Sequence, residues 1–234
     1  PIPPLAHTPL YAWHKYWARK TWNVVGAHIE ASSKEGDIVL DPFSGSGVTA
    51  IEALKRGRKV IAIDINPVAS FILNQTIVPV SLPRLRRAFE LVKNRSGEKI
   101  KELYTTTCRS CKRDVSAVCF LWEREEDEKI KEVRYRCPTC GVREEKPNTL
   151  DMARSIEAEG RLRRSGLWFP RNTLSYSSGK PFLKREGYES IDQMFTYRNL
   201  LALAIIKEAI DEITDSGYRD LMRAAMSSMA HLAS

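Results

Sequence analysis

The first third of the chain alternates short apolar runs with amphipathic stretches, a pattern typical of parallel α/β sheets. Two apolar runs end in a carboxylate, Asp41 or Asp64, and a glycine-rich turn follows the first of them. We therefore predict two buried strands and three helices, in this order: helix 21–29, strand 38–41, helix 48–56, strand 59–64 and helix 66–76. This order is the start of a doubly wound, Rossmann-like α/β sheet.

The rest of the chain is organised differently. Its pattern predicts a third strand over 77–80, a long helix over 82–104, a cysteine module, loops, and helices over 195–213 and from 219 onward. We expect four parts: a cofactor-binding part over 1–80, the cysteine module over 105–146, a loop-rich insertion over 147–195, and C-terminal helices of the sheet domain over 196–234. The predicted sheet is incomplete, since doubly wound sheets have about six strands.

Composition limits the class of protein. The chain has 234 residues, of which 43% are hydrophobic and 28% charged, as in ordinary globular proteins. Neither a run of ~18 apolar residues nor a signal peptide is visible, so we expect a cytoplasmic protein without a membrane partner. Lys and Arg number 37 against 29 Asp and Glu, a net charge of +8. This favours nucleic acid as a partner, although a merely soluble basic protein has the same charge.

Four of the five cysteines form two Cys-x-x-Cys pairs, Cys108 with Cys111 and Cys137 with Cys140. Two such turns supply the four thiolates of a closed tetrahedral Zn²⁺ site, so we predict a structural zinc ribbon. Gly141 gives the second turn a permissive φ. Two disulfides or a redox dithiol are the alternative, disfavoured by the missing secretion signal and by the duplication. We expect Cys119 to be a buried thiol, with a ligand role as its alternative.

The most informative stretch is the turn Asp41-Pro-Phe-Ser-Gly-Ser-Gly47. Its glycines let the backbone approach a ligand without a Cβ clash. Asp41 would repel a pyrophosphate but attract a cation such as the ammonium of a methionine moiety. Asp64 lies where a carboxylate accepts hydrogen bonds from ribose hydroxyls. The turn therefore favours S-adenosylmethionine over a nicotinamide dinucleotide.

Three segments resemble motifs of the amino-methyltransferases that act on DNA bases. Residues 40–53, Leu-Asp-Pro-Phe-Ser-Gly-Ser-Gly-Val-Thr-Ala-Ile-Glu-Ala, resemble motif I; residues 63–67, Ile-Asp-Ile-Asn-Pro, resemble motif II; residues 14–20, His-Lys-Tyr-Trp-Ala-Arg-Lys, resemble motif X. With its cysteine module, the chain is similar to zinc-ribbon-containing adenine-specific DNA methylases. The resemblance implies methyl transfer to an exocyclic amine of adenine or cytosine in DNA, in a restriction-modification setting.

The resemblance also implies a set of cofactor-binding residues. In motif X they are Lys15, Tyr16, Ala18 and Arg19; in motif I, Asp41, Phe43, Gly45, Ser46 and Gly47; in motif II, Asp64, Ile65 and Asn66. Motif X closes over the methionine end of the cofactor in that family. Plain packing against the sheet is the alternative for the aromatic residues between Trp13 and Trp22.

The catalytic loop of that family is missing from the sequence. It reads Asp/Asn/Ser-Pro-Pro-Tyr/Phe, whereas the Pro3–Pro4 pair of this chain is followed by Leu5. The catalytic residues are therefore unknown. We expect that the chain is truncated or that a second polypeptide supplies the catalytic half, and that this chain alone is inactive.

Residues 80–195 are predicted to contribute to DNA binding. Six arginines are candidate phosphate contacts: Arg84, Arg86, Arg87, Arg161, Arg163 and Arg164. Acidic residues crowded between 123 and 132 argue against DNA contact at the tip of the cysteine module. The alternative is a structural clip that holds a long insertion.

Two other functions stay open. An RNA amino-methyltransferase can carry a nearly identical motif I. A non-catalytic nucleic-acid-binding zinc-ribbon protein would keep the motif without turnover.

Overall fold

The computed structural model describes residues 1–123, 129–176, 178–182 and 188–233. The chain is a mixed α/β protein that divides into two compact units. Unit 1 comprises Pro1–Leu85 and Asp215–Met229, and unit 2 comprises Arg86–Thr214 and Ala230–Ser234. None of the described helices combines the length and apolar character that crossing a bilayer requires.

Unit 1 is built on two parallel strands, β1 (Ile38–Asp41) and β2 (Lys59–Ala62), in which Val39 pairs with Val60. Its helices are α1 (Pro9–Ala12), α2 (Trp22–Ser32), α3 (Val48–Lys55), α4 (Pro67–Ile77) and most of α8 (Ser216–Ala230). Val60 and Ala62 of β2 pack on a small core around Tyr11, Ile51 and Leu73. The predicted order of strand, turn, helix and strand is confirmed over this segment.

The prediction that both strands are buried is wrong. Ile38 is 63% exposed and Ile61 is 50% exposed, and Leu40 and Ile63 are likewise exposed. Only one face of the two strands packs on the core of unit 1, whereas parallel sheets usually have both faces covered. Unit 1 therefore presents an apolar strand face to solvent.

The third strand predicted over 77–80 is also wrong. Helix α4 continues to Ile77, and the residues after it are irregular. Pro79 lacks the backbone N–H that a strand ladder requires. The described part of the parallel sheet therefore consists of β1 and β2.

Unit 2 has a three-helix core. Helices α5 (Leu82–Tyr104, most of it in unit 2), α6 (Thr149–Ser165) and α7 (Tyr197–Asp211) bury Leu103, Leu162 and Leu201 among others. The predictions of α5 and α7 are confirmed. A short 3₁₀ helix, Ile191–Met194, precedes α7.

Helix α6 contradicts the prediction that 147–195 is loop-rich. Asn148 accepts a hydrogen bond from the backbone N–H of Asp151, whose side chain accepts one in return from Asn148, which makes a capping box. Gly166, at φ 69°, ends the helix in the left-handed conformation. These two signals define a 17-residue helix.

The cysteine module is a four-stranded antiparallel sheet in the order β3-β4-β5-β6. Its strands are β3 (Thr105–Thr107), β4 (Asp114–Glu123), β5 (Lys129–Cys137) and β6 (Gly141–Glu145). Residues 124–128, which hold much of the predicted acidic run, lie outside the described residues. The turns from β3 to β4 and from β5 to β6 lie at the same end of the sheet, because β4 and β5 are antiparallel.

Arg198 ties the cysteine module to the helices of unit 2. Its guanidinium carbon lies 3.8 Å from the centroid of the Phe120 ring on β4, and its Nη2 donates to the carbonyl of Asp151 on α6 at 2.7 Å. The side chain is buried, and this burial lowers the pKa of Arg198 to about 10. Arg198, which belongs to α7, thus contacts both β4 and α6.

Candidate cofactor site and metal centre

The glycine-rich turn after β1 is held by two carboxylates. Phe43 N donates to Asp41 Oδ1 at 3.2 Å, and Gly45 N donates to Asp64 Oδ2 at 2.7 Å. The other Asp64 oxygen accepts from Asn66 N at 2.8 Å. Because β1 and β2 are parallel, both carboxylates lie at the carboxyl edge of the sheet, where ligands bind in open α/β folds.

Two glycines allow this turn to form. Gly45 has φ 50°, and a Cβ there would lie 3.2 Å from Tyr16 Cε1. Gly47 has φ 88°, and a Cβ there would lie 2.3 Å from Leu73 Cδ1 on α4. The turn therefore requires glycine at position 47 for both conformation and space.

The motif X segment contacts this turn at three points. The Tyr16 ring packs on Gly45, Arg19 Nε donates to Ser46 Oγ at 3.4 Å, and Lys20 Nζ forms an ion pair with Asp41 Oδ2 at 3.0 Å. Two of these three contacts are polar, and both come from basic side chains rather than from the aromatic residues. Tyr16 and Arg19 thus contact Gly45 and Ser46 of motif I, residues that were predicted to belong to the same cofactor site.

Asp41 is 5% exposed, and its carboxylate is well supplied with donors. Burial by itself raises the pKa of Asp41, but hydrogen bonds from Thr49, Lys20 and the Phe43 backbone outweigh it, so the pKa lies below its usual value. The group is therefore an anion at neutral pH, as the attraction of a cationic ligand requires.

Some of the predicted cofactor residues have exposed side chains, and one caps a helix. The side chains of Lys15, Ala18, Phe43 and Ile65 are exposed. The Asn66 side chain caps α4 by accepting from Val68 N at 3.0 Å. This cap assigns Asn66 a structural role in the described conformation.

Sequence reasoning missed Glu52, a fully buried carboxylate on α3. It accepts hydrogen bonds from the Tyr11 hydroxyl and Arg56, and it pairs with Lys55 Nζ at 2.8 Å. Burial raises the pKa of Glu52, yet hydrogen bonds from these three donors more than offset that effect and leave the pKa below its usual value. Glu52 thus ties the N-terminal segment to α3, and the polar position inside an apolar helix face was the available signal.

The four paired cysteines converge at one end of the antiparallel sheet. The sulfurs of Cys108, Cys111, Cys137 and Cys140 all lie within 4.8 Å of one another. A tetrahedral site with Zn–S bonds of about 2.3 Å separates its sulfurs by about 3.8 Å, so this donor set fits such an ion. The cluster does not include Cys119, which is half-buried rather than buried as predicted.

Each of the two cysteine turns is followed by a residue in the left-handed backbone conformation. Lys112, directly after Cys111, has φ 60°, and Gly141, directly after Cys140, has φ 80°. Hydrogen bonds lower the pKa of the Cys108 thiol to about 6: the largest effect comes from the backbone of Cys111 and the next from the Tyr135 hydroxyl. Thiolate is the form that binds metal, so these hydrogen bonds favour metal binding.

The six predicted phosphate contacts lie on two helices, α5 and α6. Arg84, Arg86 and Arg87 are exposed in the first turns of α5. Arg161 and Arg164 line one groove on unit 2, whereas Arg163 pairs with Glu159 at 2.8 Å. Residues three apart on a helix share a face, and residues two apart do not.

The fold and the turn define an α/β protein with a carboxylate-flanked, glycine-rich loop after β1. Residues 6–74 match the family described as DNA methylase, the N6/N4 methyltransferases. This match confirms, over residues 6–74, the resemblance read from motifs X, I and II.

Curated relatives match over short segments. Type II methyltransferase M1.MboII of Moraxella bovis is 53% identical over 51 residues, 20% of this chain and 20% of its own length. DNA adenine methyltransferase YhdJ of Escherichia coli is 60% identical over 38 residues, 16% of this chain and 13% of its own length. Type II methyltransferase M.MjaII of Methanocaldococcus jannaschii is 28% identical over 90 residues, 38% of this chain and 17% of its own length. The matches thus span a fifth or less of these relatives, and no solved structure matches the chain.

Substitution of Gly47 by Ala tests the turn. We expect Gly47→Ala to lower the free energy of unfolding by more than Gly36→Ala, measured by urea denaturation. Both glycines have φ 88°, but a Cβ at Gly36 meets no atom within 4 Å. The left-handed backbone costs about 1–2 kcal/mol in each variant, so the difference reports the clash with Leu73. Equal losses would contradict the close packing of Leu73 on Gly47.

Proposed function

We propose that this chain is the cofactor-binding and DNA-contacting part of an amino-methyltransferase. Its methyl donor is S-adenosylmethionine, and its acceptor is the exocyclic amine of adenine or cytosine in DNA. The match of residues 6–74 to the DNA methylase family supports the reaction class. The names of the relatives, one of them a DNA adenine methyltransferase, favour adenine.

One observation carries this proposal. Asp41 ends β1, and Asp64 lies two residues after the parallel strand β2; they flank a turn whose Gly45 N–H is already bound to Asp64. Each Asp64 oxygen accepts one backbone hydrogen bond and keeps a further lone pair, which suits ribose hydroxyls. Asp41 is an anion placed to attract the ammonium of the donor's methionine part.

The motif X segment completes the proposed site. Tyr16 and Arg19 contact Gly45 and Ser46, so this segment is placed to cover the methionine end of the donor. When bound, the donor supplies a methyl group activated by its sulfonium charge. The residues of this chain bind and orient that donor.

Calorimetry with S-adenosylmethionine tests the cofactor site. We expect Asp41→Asn to weaken binding by about 10- to 100-fold, because a hydrogen bond to a charged group contributes about 1.5–3 kcal/mol. The control is Asp37→Asn, an exposed carboxylate whose Oδ2 caps Lys34 N at 2.8 Å. No binding by the unmodified chain would favour the non-catalytic nucleic-acid-binding alternative.

We propose further that the residues performing methyl transfer are not among these 234 residues. The Pro-Pro-Tyr-type loop is not in the sequence, and the exposed apolar face of β1 and β2 supports a larger sheet formed with a further chain segment or a second polypeptide. The crossover helices of such a sheet would cover Ile38 and Ile61.

Incubation with labelled S-adenosylmethionine and duplex DNA tests this idea. We expect no label above background in the DNA, although the chain binds the donor. Robust methylation by this chain alone would contradict the proposed division of roles. Label in an RNA of the same sequence would instead favour the RNA methyltransferase alternative.

We propose that the four-cysteine cluster holds one structural Zn²⁺. Four thiolates occupy all four coordination positions of a tetrahedral Zn²⁺ ion, so no position stays open for a substrate. Its role is to hold the two turns at one end of the antiparallel sheet.

Metal analysis of variants tests the zinc proposal. We expect one zinc per chain by mass spectrometry under non-denaturing conditions, and its loss in Cys137→Ser. The control is Cys119→Ser, which changes a half-buried thiol outside the cluster and should keep the metal. Loss of zinc in both variants, or in neither, would contradict the assignment.

A further inference from the structure

Three helices of unit 2 form a basic groove. It has a volume of about 380 Å³ and lies between Lys99 of α5, Arg161 and Arg164 of α6, and Leu201 and Ile205 of α7. Ser165, at the end of α6, adds a hydroxyl to the wall. The floor is thus apolar and the rim is cationic.

Most of the charge in this groove is available to a ligand. Neither Lys99 nor Arg164 has an ion-pair partner among the residues that the structure describes. Arg161 pairs with Glu102 at 3.2 Å, and Glu208 also lines the groove. Three cations against the single lining carboxylate leave an excess of positive charge, and Gly160 leaves room for the Arg164 guanidinium one turn away.

An aromatic surface continues from this groove. Leu167 lines both the groove and a second concavity of about 480 Å³, which Trp168, Phe169 and Arg171 also line. Trp168 is 61% exposed, and Lys207 Nζ lies 5.0 Å from its ring centroid. The Arg171 guanidinium carbon lies 4.3 Å from the Phe169 ring centroid. Gly166 ends α6 and turns the chain into this aromatic run.

We propose that the groove and the aromatic surface together bind one unpaired strand of the DNA substrate. Cations that follow a backbone beside exposed aromatic rings are the general means of holding single strands. Lys99, Arg161 and Arg164 bind phosphates, and Trp168 stacks on a base. A paired base is already stacked within the duplex, so the exposed ring favours an unpaired one. This inference rests on the proposed function for the identity of the strand as DNA.

The structure provides a matched control for the arginines. Arg163 is on the same turn of α6 but lies outside the groove and pairs with Glu159 at 2.8 Å. Its guanidinium also lies 5.9 Å from the Tyr197 ring centroid. Loss of Arg163 therefore removes one positive charge from the same helix without altering the groove, and each single variant, Arg161→Ala or Arg164→Ala, removes the same charge from within it.

Fluorescence anisotropy of a labelled thymidine oligomer of about ten nucleotides tests the proposal, with the full chain and its variants. We expect Trp168→Ala to weaken binding by about tenfold, since base stacking contributes about 1–3 kcal/mol, and Trp168→Phe to retain most of it. The double variant Arg161→Ala, Arg164→Ala should reduce the salt dependence of log K by about 1.4, at about 0.7 per phosphate contact. Arg163→Ala should leave both quantities unchanged.

Several outcomes overturn the inference. They are an unchanged affinity of Trp168→Ala, an equal effect of Arg163→Ala, and tighter binding of a duplex or of an RNA oligomer of the same sequence. Calorimetry with S-adenosylmethionine on the same samples separates the two proposals. Intact donor binding without oligomer binding rejects this site alone, and the reverse result rejects the proposed function alone.

Discussion

The geometry of unit 1 depends on the Asp64 carboxylate, which ties together the two loops that follow β1 and β2. One oxygen accepts from Gly45 N at 2.7 Å, and the other accepts from Asn66 N at 2.8 Å. The first bond holds the glycine-rich turn, and the second holds the residue that caps α4. Because the carboxylate is only half-buried, it is both a structural acceptor and accessible from solvent. Charge-assisted bonds of this kind are among the stronger hydrogen bonds in proteins.

Glu52 extends this arrangement towards the N-terminal segment. A buried carboxylate is costly unless its charge is compensated, and here Tyr11, Lys55 and Arg56 all contribute. Tyr11 also packs with Val48 and Ile51 in the core of unit 1. The residues just before motif X are therefore anchored on α3. The Tyr16, Arg19 and Lys20 side chains can then meet the turn from a fixed starting point.

Features that depend on residues close together in sequence were predicted correctly. Local signals predicted the turn, α3 and α7, because glycines, helix periodicity and capping act over a few residues. The Cys-x-x-Cys spacing likewise predicted that the four sulfurs meet. The capping box at Asn148 and the stop at Gly166 were local signals too, but a loop-forming composition over 147–195 obscured them.

What could not be predicted depends on contacts distant in sequence. Exposure of Ile38 and Ile61 depends on what covers a sheet face, which the residues of a strand do not specify. Lys112 has a left-handed backbone conformation, which the sequence does not indicate because the residue is not a glycine. The separation of Arg163 from Arg161 and Arg164 follows from helix geometry only once residues 149–165 are known to be a helix.

The ion pair between Lys20 and Asp41 has a consequence for the energetics of any cationic ligand at this turn. Lys20 Nζ lies 3.0 Å from the carboxylate and is half-exposed, so the chain's own amine already neutralises the buried acid. An incoming ammonium would exchange with this amine rather than meet a bare anion. The net contribution of Asp41 to the affinity would then be smaller than that of a bare anion by the strength of its half-exposed pair with Lys20. The displaced lysine would also release one of the tethers on the segment that precedes α2, so occupancy of the turn and the position of that segment would change together.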